Sequence, residues 1–241
     1  MPRMKATMAR SVLMMVVLAS AAVLAQQPVR QAQTPSNPKL PPLFFSETWK
    51  QTGLERDVDK DVLSNANLEL KLYGSTSKQI QIAPTTPNTR QDPPNLWTGV
   101  CNGPVAATLR DKNNFVDLTG RAKIRWQTRS AGFHVVRPVL KLADGTFLVG
   151  DHADGDGATE NFAETEFSIA SVRWLKLDSA TVTTVHAERQ KAPELGRWVE
   201  HPDLSKVDEI GFADLMPGSG HGWGGFVNVG RIEVYGTPVK R

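Results

Sequence analysis

Strict alternation is the feature that most limits what this chain can become. In Leu68-Glu69-Leu70-Lys71-Leu72-Tyr73 every second residue is leucine, and in Lys123-Ile124-Arg125-Trp126-Gln127-Thr128 Ile124 and Trp126 again fall two apart. Successive side chains of a strand point to opposite faces, so each segment can bury one face and solvate the other as a β-strand. Phe133 to Leu142 runs into Asp144-Gly145 and then Thr146-Phe147-Leu148-Val149-Gly150. This pattern predicts a hairpin that turns on a glycine at positive φ. Further strands are expected at Val172–Leu177, Thr181–His186, Val207–Phe212 and Val227–Tyr235, divided by clusters of Gly, Pro, Asp and Asn. Short helical turns fit Asp57–Ala66 and Pro202–Lys206, neither with the apolar stripe of a core helix. No segment repeats, which removes the main support for a propeller or solenoid. The expected fold is all-β, a single and mainly antiparallel jelly-roll sandwich.

The first residues read as an address. Arg3, Lys5 and Arg10 precede an uncharged apolar run, Ser11 to Leu24, that closes on Val23-Leu24-Ala25. The run is shorter than the roughly 20 residues of a spanning helix, so residues 1–25 are expected to be a cleaved signal peptide. Gln26 to Pro42 is rich in Gln and Pro and has little to bury, as in a flexible linker, and the sandwich should occupy 43–241. The chain carries 28 Lys and Arg against 25 Asp and Glu; three of the basic residues and no acidic one lie in the leader, which leaves 25 against 25. A neutral mature protein lacks the basic field that binds phosphate backbones, so no nucleic acid partner is expected. No second long apolar run follows the leader and Gln26, not a cysteine, stands directly after the cleavage point, so the mature protein is not expected to insert into a membrane. A periplasmic or secreted location is the expectation. Cys101 is the only cysteine, so no intrachain disulfide can form and the core must hold the fold.

Three phrases carry a resemblance. Asp117 to Gly120 follows a strand-forming stretch, Lys206 to Phe212 reads Lys-Val-Asp-Glu-Ile-Gly-Phe, and Ile232 to Gly236 reads Ile-Glu-Val-Tyr-Gly. Together with the opening Leu43-Phe44-Phe45-Ser46-Glu47-Thr48-Trp49, they resemble the galactose-binding-like jelly rolls. That superfamily includes carbohydrate-binding modules and the complex-I-intermediate-associated proteins. The resemblance spans about Leu43 to Gly236 and implies a sandwich with a sugar-binding role. Many relatives carry an acidic residue just before the last apolar strand residues, where this chain has Gly230-Arg231. A calcium site of the family kind would therefore have to use Glu233 and Glu47. The concanavalin-like sandwich of laminin-G and 3-keto-glycoside hydrolase type domains has a similar β composition and stays open as the alternative.

Asp151-His152-Ala153-Asp154-Gly155-Asp156-Gly157 packs three carboxylates into seven positions and invites a test against the EF-hand loop. Placing Gly157 at position 6 puts His152 at 1 and Ala163 at 12, where a bidentate glutamate is required, so that reading fails. A looser Ca²⁺ site remains open to Asp151, Asp154 and Asp156, against a solvated turn at a hairpin end. His134, His152, His186, His201 and His221 show no paired zinc spacing.

Pro217 to Phe226 is rich in glycine around His221 and Trp223. Glycines let backbone approach a ligand, Trp offers a flat face to a sugar ring and His a hydrogen bond. Trp97 and Asn102, in a turn-rich segment, are further candidates for ligand contact, although a Trp in such a place is more often buried in the core than used as a stacking platform. Cys101 has no His or Asp partner nearby in sequence and reads as a small buried residue. Glu160, Glu164 and Glu166 lie beside the acidic loop, where a solvated edge competes with a paired-carboxylate glycosidase. Ser219 and His221 lack the strand-turn-helix setting of a hydrolase elbow.

The first functional expectation is an exported, non-catalytic sandwich that binds carbohydrate at a loop face. The alternatives are a glycoside hydrolase or lyase using the acidic loop and His221, and a structural interaction domain of the envelope.

Overall fold

The computed structural model describes residues 40–83, 92–155, 161–184, 196–218 and 224–241. The expected leader and most of the expected linker fall outside them, as do Asp156, His221 and Trp223. Sixteen strands form among the described residues. They are β1 (Leu43–Glu47), β2 (Arg56–Asp57), β3 (Leu68–Tyr73), β4 (Gln81–Ala83), β5 (Asn95–Trp97), β6 (Val105–Asp111), β7 (Asn114–Asp117) and β8 (Lys123–Gly132). The second half supplies β9 (Arg137–Leu142), β10 (Phe147–Gly150), β11 (Ala163–Ser168), β12 (Trp174–Lys176), β13 (Trp198–Val199), β14 (Val207–Asp214), β15 (Gly225–Tyr235) and β16 (Thr237–Lys240).

The strands pair into two antiparallel sheets, as the alternation requires. The first runs β11-β8-β15-β5-β4-β2, and β1 joins β15 along Ile232 to Tyr235, beyond the end of β5. The second runs β13-β12-β10-β9-β14-β6-β3, with β7 attached to β14 at Val207 and β16 lying along β7. Sequential hairpins alone do not give this order; β15 and β14, the last long strands, each enter the middle of a sheet. The fold is an all-β sandwich, as expected.

Between the sheets, Ile124 and Trp126 of β8 and Val229, Ile232 and Val234 of β15 meet Leu109, Leu140, Ile210 and Phe212 of the second sheet. Trp126, Trp174 and Phe212 are among the largest side chains that are fully buried. Each such side chain stabilises the fold by about 1.5–3 kcal/mol, and with the single cysteine unpaired this core holds the sheets together without a disulfide. The expected Asp144-Gly145 hairpin is present: Gly145 takes φ +88°, its N–H donates to Leu142 O, and Thr146 N donates to Asp144 Oδ1. No helix among the described residues is long and apolar enough to cross a membrane.

Three local expectations need correction. Thr181–His186 is not a strand where it is described: Asp178 Oδ1 accepts from Ala180 N and Thr181 N and winds the chain into a turn. Val182 sits there at φ +53°, buried on the outer side of the second sheet with Val139, Phe147 and Leu177. Pro202–Lys206 forms an Asp203-anchored turn and not a helical one, because Asp203 Oδ1 takes both the N–H and the hydroxyl of Ser205. Within Asp57–Ala66 a 3-10 turn does form, at Lys60–Val62, capped by Asp59. The Glu-rich stretch read as a loop edge supplies strand β11, because its glutamates find cross-strand cations on β8.

Candidate ligand-binding face

Strand register builds a row of four polar and aromatic side chains across the first sheet. Gln81 of β4 lies opposite Trp97 of β5, Trp97 opposite Asn228 of β15, and Asn228 opposite Arg129 of β8. Directly opposed residues share a face. Their chain neighbours Ile82, Leu96, Val227, Val229 and Ser130 are buried, so the row occupies the face turned away from the core.

The row is held by its own hydrogen bonds. Arg129 Nε donates to Asn228 Oδ1 at 3.2 Å, Asn228 Nδ2 donates to Asn95 Oδ1 at 2.6 Å, and Asn95 Nδ2 donates to Pro93 O at 2.9 Å. Arg129 Nη1 donates to Asp92 at 2.9 Å, which neutralises the guanidinium, and the same group lies over the Phe162 and Phe226 rings at 4.8 and 5.9 Å. Phe226 meets Trp97 edge-on at 6.4 Å between ring centres. The backbone at Gly99 folds against the indole so closely that a Cβ there would lie 2.5 Å from Trp97 Cε2. Trp97 is thereby fixed and remains half-buried, neither sealed in the core nor loose in solvent. At the other end of the row, Gln81 Oε1 is buried and has no hydrogen-bond partner among the described residues.

Amides, an indole and a neutralised guanidinium can bind a polyhydroxylated ligand by stacking and hydrogen bonding. None of them is a general acid or base near neutral pH. Elsewhere on the same face, Glu164 pairs with Arg125 and Arg231, and Glu166 with Lys123 at 2.9 Å. Of the glutamates considered for glycosidase work, Glu164 and Glu166 are thus occupied by cations and Glu160 lies outside the described residues, and Arg125 ahead of other causes holds the Glu164 carboxyl below its ordinary range.

The structure brings Trp97 and Asn102 to one region. Asn102 is exposed, and its N–H reaches Gln79 Oε1 at 3.3 Å. Cys101 beside it accepts the N–H of Gly218 at 2.8 Å, so the glycine-rich stretch departs next to this turn. His221 and Trp223 lie outside the described residues. Nearby, Asp214 Oδ2 accepts from Thr98 and contacts His134 Nδ1, each at 2.7 Å, in the buried end of the sandwich. Burial, with the Asp214 charge behind it, pushes the Cys101 thiol up to about 12.

Of the acidic candidates, Asp151 and Asp154 turn to different partners. Asp151 turns to Arg173, accepting its N–H and its Nε at 2.8 Å each. Asp154 turns to the Trp126 indole N–H and to His152 at 3.3 Å, while His152 stacks on Phe167. Burial would push the Asp154 carboxyl up, but the nearby His152 ring and the hydrogen bond from the Trp126 indole prevail and hold it below the usual carboxylate value. Asp156 lies outside the described residues.

Glu47 and Glu233 fall on opposite faces, because Glu233 pairs with Ser46 and not with Glu47. Glu233 faces Arg125, Arg231 and Tyr235. Glu47 is fully buried and accepts from Thr48 N, Trp49 N, Ser64 N, Ser64 Oγ and Asn65 N. These two carboxylates do not fit the calcium site that the family resemblance implies. Among the described residues, no cluster of three His, Cys, Asp or Glu side chains could hold a metal ion.

No family model matches the chain, and no curated protein matches it. The structure is similar to the family 11 carbohydrate-binding module of the cellulosomal cellulase Lic26A-Cel5E of Clostridium thermocellum, at 14% identity and TM-score 0.40, covering 77% of this chain and 97% of the module. It is also similar to the Clostridium thermocellum family 11 module in complex with a β-1,3-1,4-mixed-linked tetrasaccharide, at 14% identity, TM-score 0.39, and 79% and 100% coverage. The carbohydrate recognition domain of Emp47p follows at 10% identity, TM-score 0.36, and 80% and 95% coverage.

Sequence reasoning singled out Trp97 but missed Gln81, Asn228 and Arg129. Gln81 stands in the alternating Gln79-Ile80-Gln81-Ile82 and Asn228 in Val227-Asn228-Val229, so their outward direction was legible. Their alignment with Trp97 depends on which strands pair.

Proposed function

We propose that this protein is an exported, non-catalytic carbohydrate-binding sandwich whose ligand lies along the Gln81-Trp97-Asn228-Arg129 row. One observation carries the reading: a half-buried, immobilised indole flanked by amides, with the buried Gln81 Oε1 beside it lacking a donor among the described residues. A sugar ring presents C–H groups to an aromatic face and hydroxyls to amides, which is the complement of this row. The neutralised Arg129 favours an uncharged glycan over an anionic one. Affinity from one platform and a few hydrogen bonds would be modest. Non-catalytic action is supported by the pairing of Glu164 and Glu166 with cations.

A glycan array followed by a reducing-end assay tests this. Binding without product release, lost in Trp97→Ala and weakened in Gln81→Ala, is the expected result; product release would replace the reading with a sugar-active enzyme. Export rests on the leader pattern, and N-terminal sequencing of protein recovered outside the cytoplasm should begin at Gln26.

A further inference from the structure

We propose that Asp214 is the positioning residue of the Trp97 platform and that His134, acting through it, makes the set of that platform respond to pH. For ligand affinity this rests on the row being a sugar site; the coupling itself belongs to the free protein. Asp214 of β14, His134 in the β8–β9 connection and Thr98 just after β5 are 1%, 2% and 1% exposed. Asp214 Oδ2 meets the Thr98 hydroxyl and His134 Nδ1, each at 2.7 Å, and Asp214 Oδ1 accepts from Met216 N at 3.2 Å.

The direction of each bond follows from the partners. A backbone N–H only donates, so Thr98 Oγ1 accepts from Val227 N at 3.0 Å and gives its own proton to Asp214 Oδ2 at 2.7 Å in preference to Val227 O at 3.5 Å. An ionised carboxylate only accepts, so the proton of the His134 contact sits on Nδ1. The imidazole is wedged against the backbone of β15: a Cβ at Gly225, which takes φ +123°, would lie 2.4 Å from its Cδ2. Thr98 N donates to Val227 O at 3.1 Å, and Thr98 O accepts from Cys101 N at 2.8 Å. That turn holds Gly99 against the Trp97 indole, so a shift of Thr98 is passed to the platform.

One oxygen serves both neighbours, and this makes the arrangement titratable. With His134 neutral, Oδ2 is shared between the imidazole N–H and the Thr98 hydroxyl. Proton uptake at Nε2 turns the His134 contact into an ion pair, which draws Oδ2 toward the imidazolium and away from Thr98. Histidine is the side chain whose unperturbed charge change falls between about pH 5 and 8. Among the described residues, Asp214 is the charged partner of the ring, and β15 meets it with the Gly225 backbone. The Cys101 thiol, which feels the Asp214 charge, is pushed up to about 12 and stays protonated throughout that range. Acidification therefore loosens Thr98 and weakens ligand binding at the row.

NMR of the free mature protein between about pH 5 and 8 tests the coupling, through the His134 ring signals and the Trp97 indole N–H signal, assigned by His134→Asn and Trp97→Phe. The two should move with one midpoint. Thr98→Val keeps the shape but removes the hydroxyl, and it should leave the Trp97 signal without that step, as should Asp214→Asn; Thr98→Ser should keep the step. His134→Asn retains a donor for Asp214 but cannot titrate, and should hold Trp97 in its neutral-pH state throughout. If Asp214→Asn does not fold, Thr98→Val against Thr98→Ser carries the comparison. Affinity for hydroxyethylcellulose, galactomannan or laminarin should fall several-fold below the midpoint in the parent and in Thr98→Ser, and stay flat in Thr98→Val. A Trp97 signal with no step at the His134 midpoint, or with the same step in Thr98→Val, overturns the coupling whether or not a polysaccharide binds. A coupled step in a protein that binds none of the three supports the coupling and counts against the row as a sugar site.

Discussion

Trp97 and Asn228 lie directly opposite each other across β5 and β15, and Asn228 links Asn95 to Arg129. The amide is 2% exposed, so it is a strut for the face as well as part of it. Asn228→Ala leaves both the Asn95 amide and the Arg129 Nε without their partner. The expected cost is about 1–3 kcal/mol, read as a lower urea midpoint with an unchanged slope.

Glu47 gathers five donors from Thr48, Trp49, Ser64 and Asn65, and it does so beside Trp49, which is held at φ +56°. Glu47→Gln turns an acceptor-only group into one whose NH₂ must face N–H donors. A loss of roughly 2–4 kcal/mol is expected by denaturant titration. Because these donors already satisfy the carboxylate, and Asp151 and Asp154 are engaged with Arg173, Trp126 and His152, added calcium should leave the melting temperature unchanged relative to chelator. A clear calcium-dependent rise would show a cation site among these carboxylates.

Asp154 gives the fold an acid-sensitive joint. Its folded carboxyl titrates below the unfolded value, so the unfolded chain takes up the proton first. Its stabilisation is present above the unfolded value near 4 and is lost as pH falls through the lower folded value. Asp154→Asn should be less stable at neutral pH by about 1–2 kcal/mol and show a flatter decline below pH 4 than the parent, measured by urea midpoints across that range. Equal slopes in the two proteins would remove Asp154 from the acid response.

Cys101 is 1% exposed and its thiol is pushed up to about 12, first by burial and then by Asp214. The thiolate is the reactive form. A thiol reagent at neutral pH should leave the native protein unlabelled for as long as it stays folded and label it once denaturant is added.

The strands of the sandwich were legible where one face is buried against a solvated one, as in β3, β8 and β15. They were illegible where tertiary pairing decides. β11 is mostly exposed and charged, and its strand geometry comes from Glu164 and Glu166 meeting cations of β8. Thr181–Thr183 has strand-forming residues, yet the Asp178 side chain captures the backbone N–H groups first. At the candidate face, Trp97 was visible as an aromatic in a turn-rich segment. Its partnership with Gln81, Asn228 and Arg129 joins residues up to 147 positions apart, and no local pattern encodes that register.

Isothermal titration of the mature protein with a panel of soluble neutral polysaccharides, compared with its Trp97→Ala variant, tests the row most directly. At least one polysaccharide should bind the parent without turnover, and the variant, folded by its unchanged melting temperature, should lose about tenfold or more in affinity. Equal affinity in the two proteins, or no binding to the parent across the panel, would contradict carbohydrate recognition by the Trp97 row.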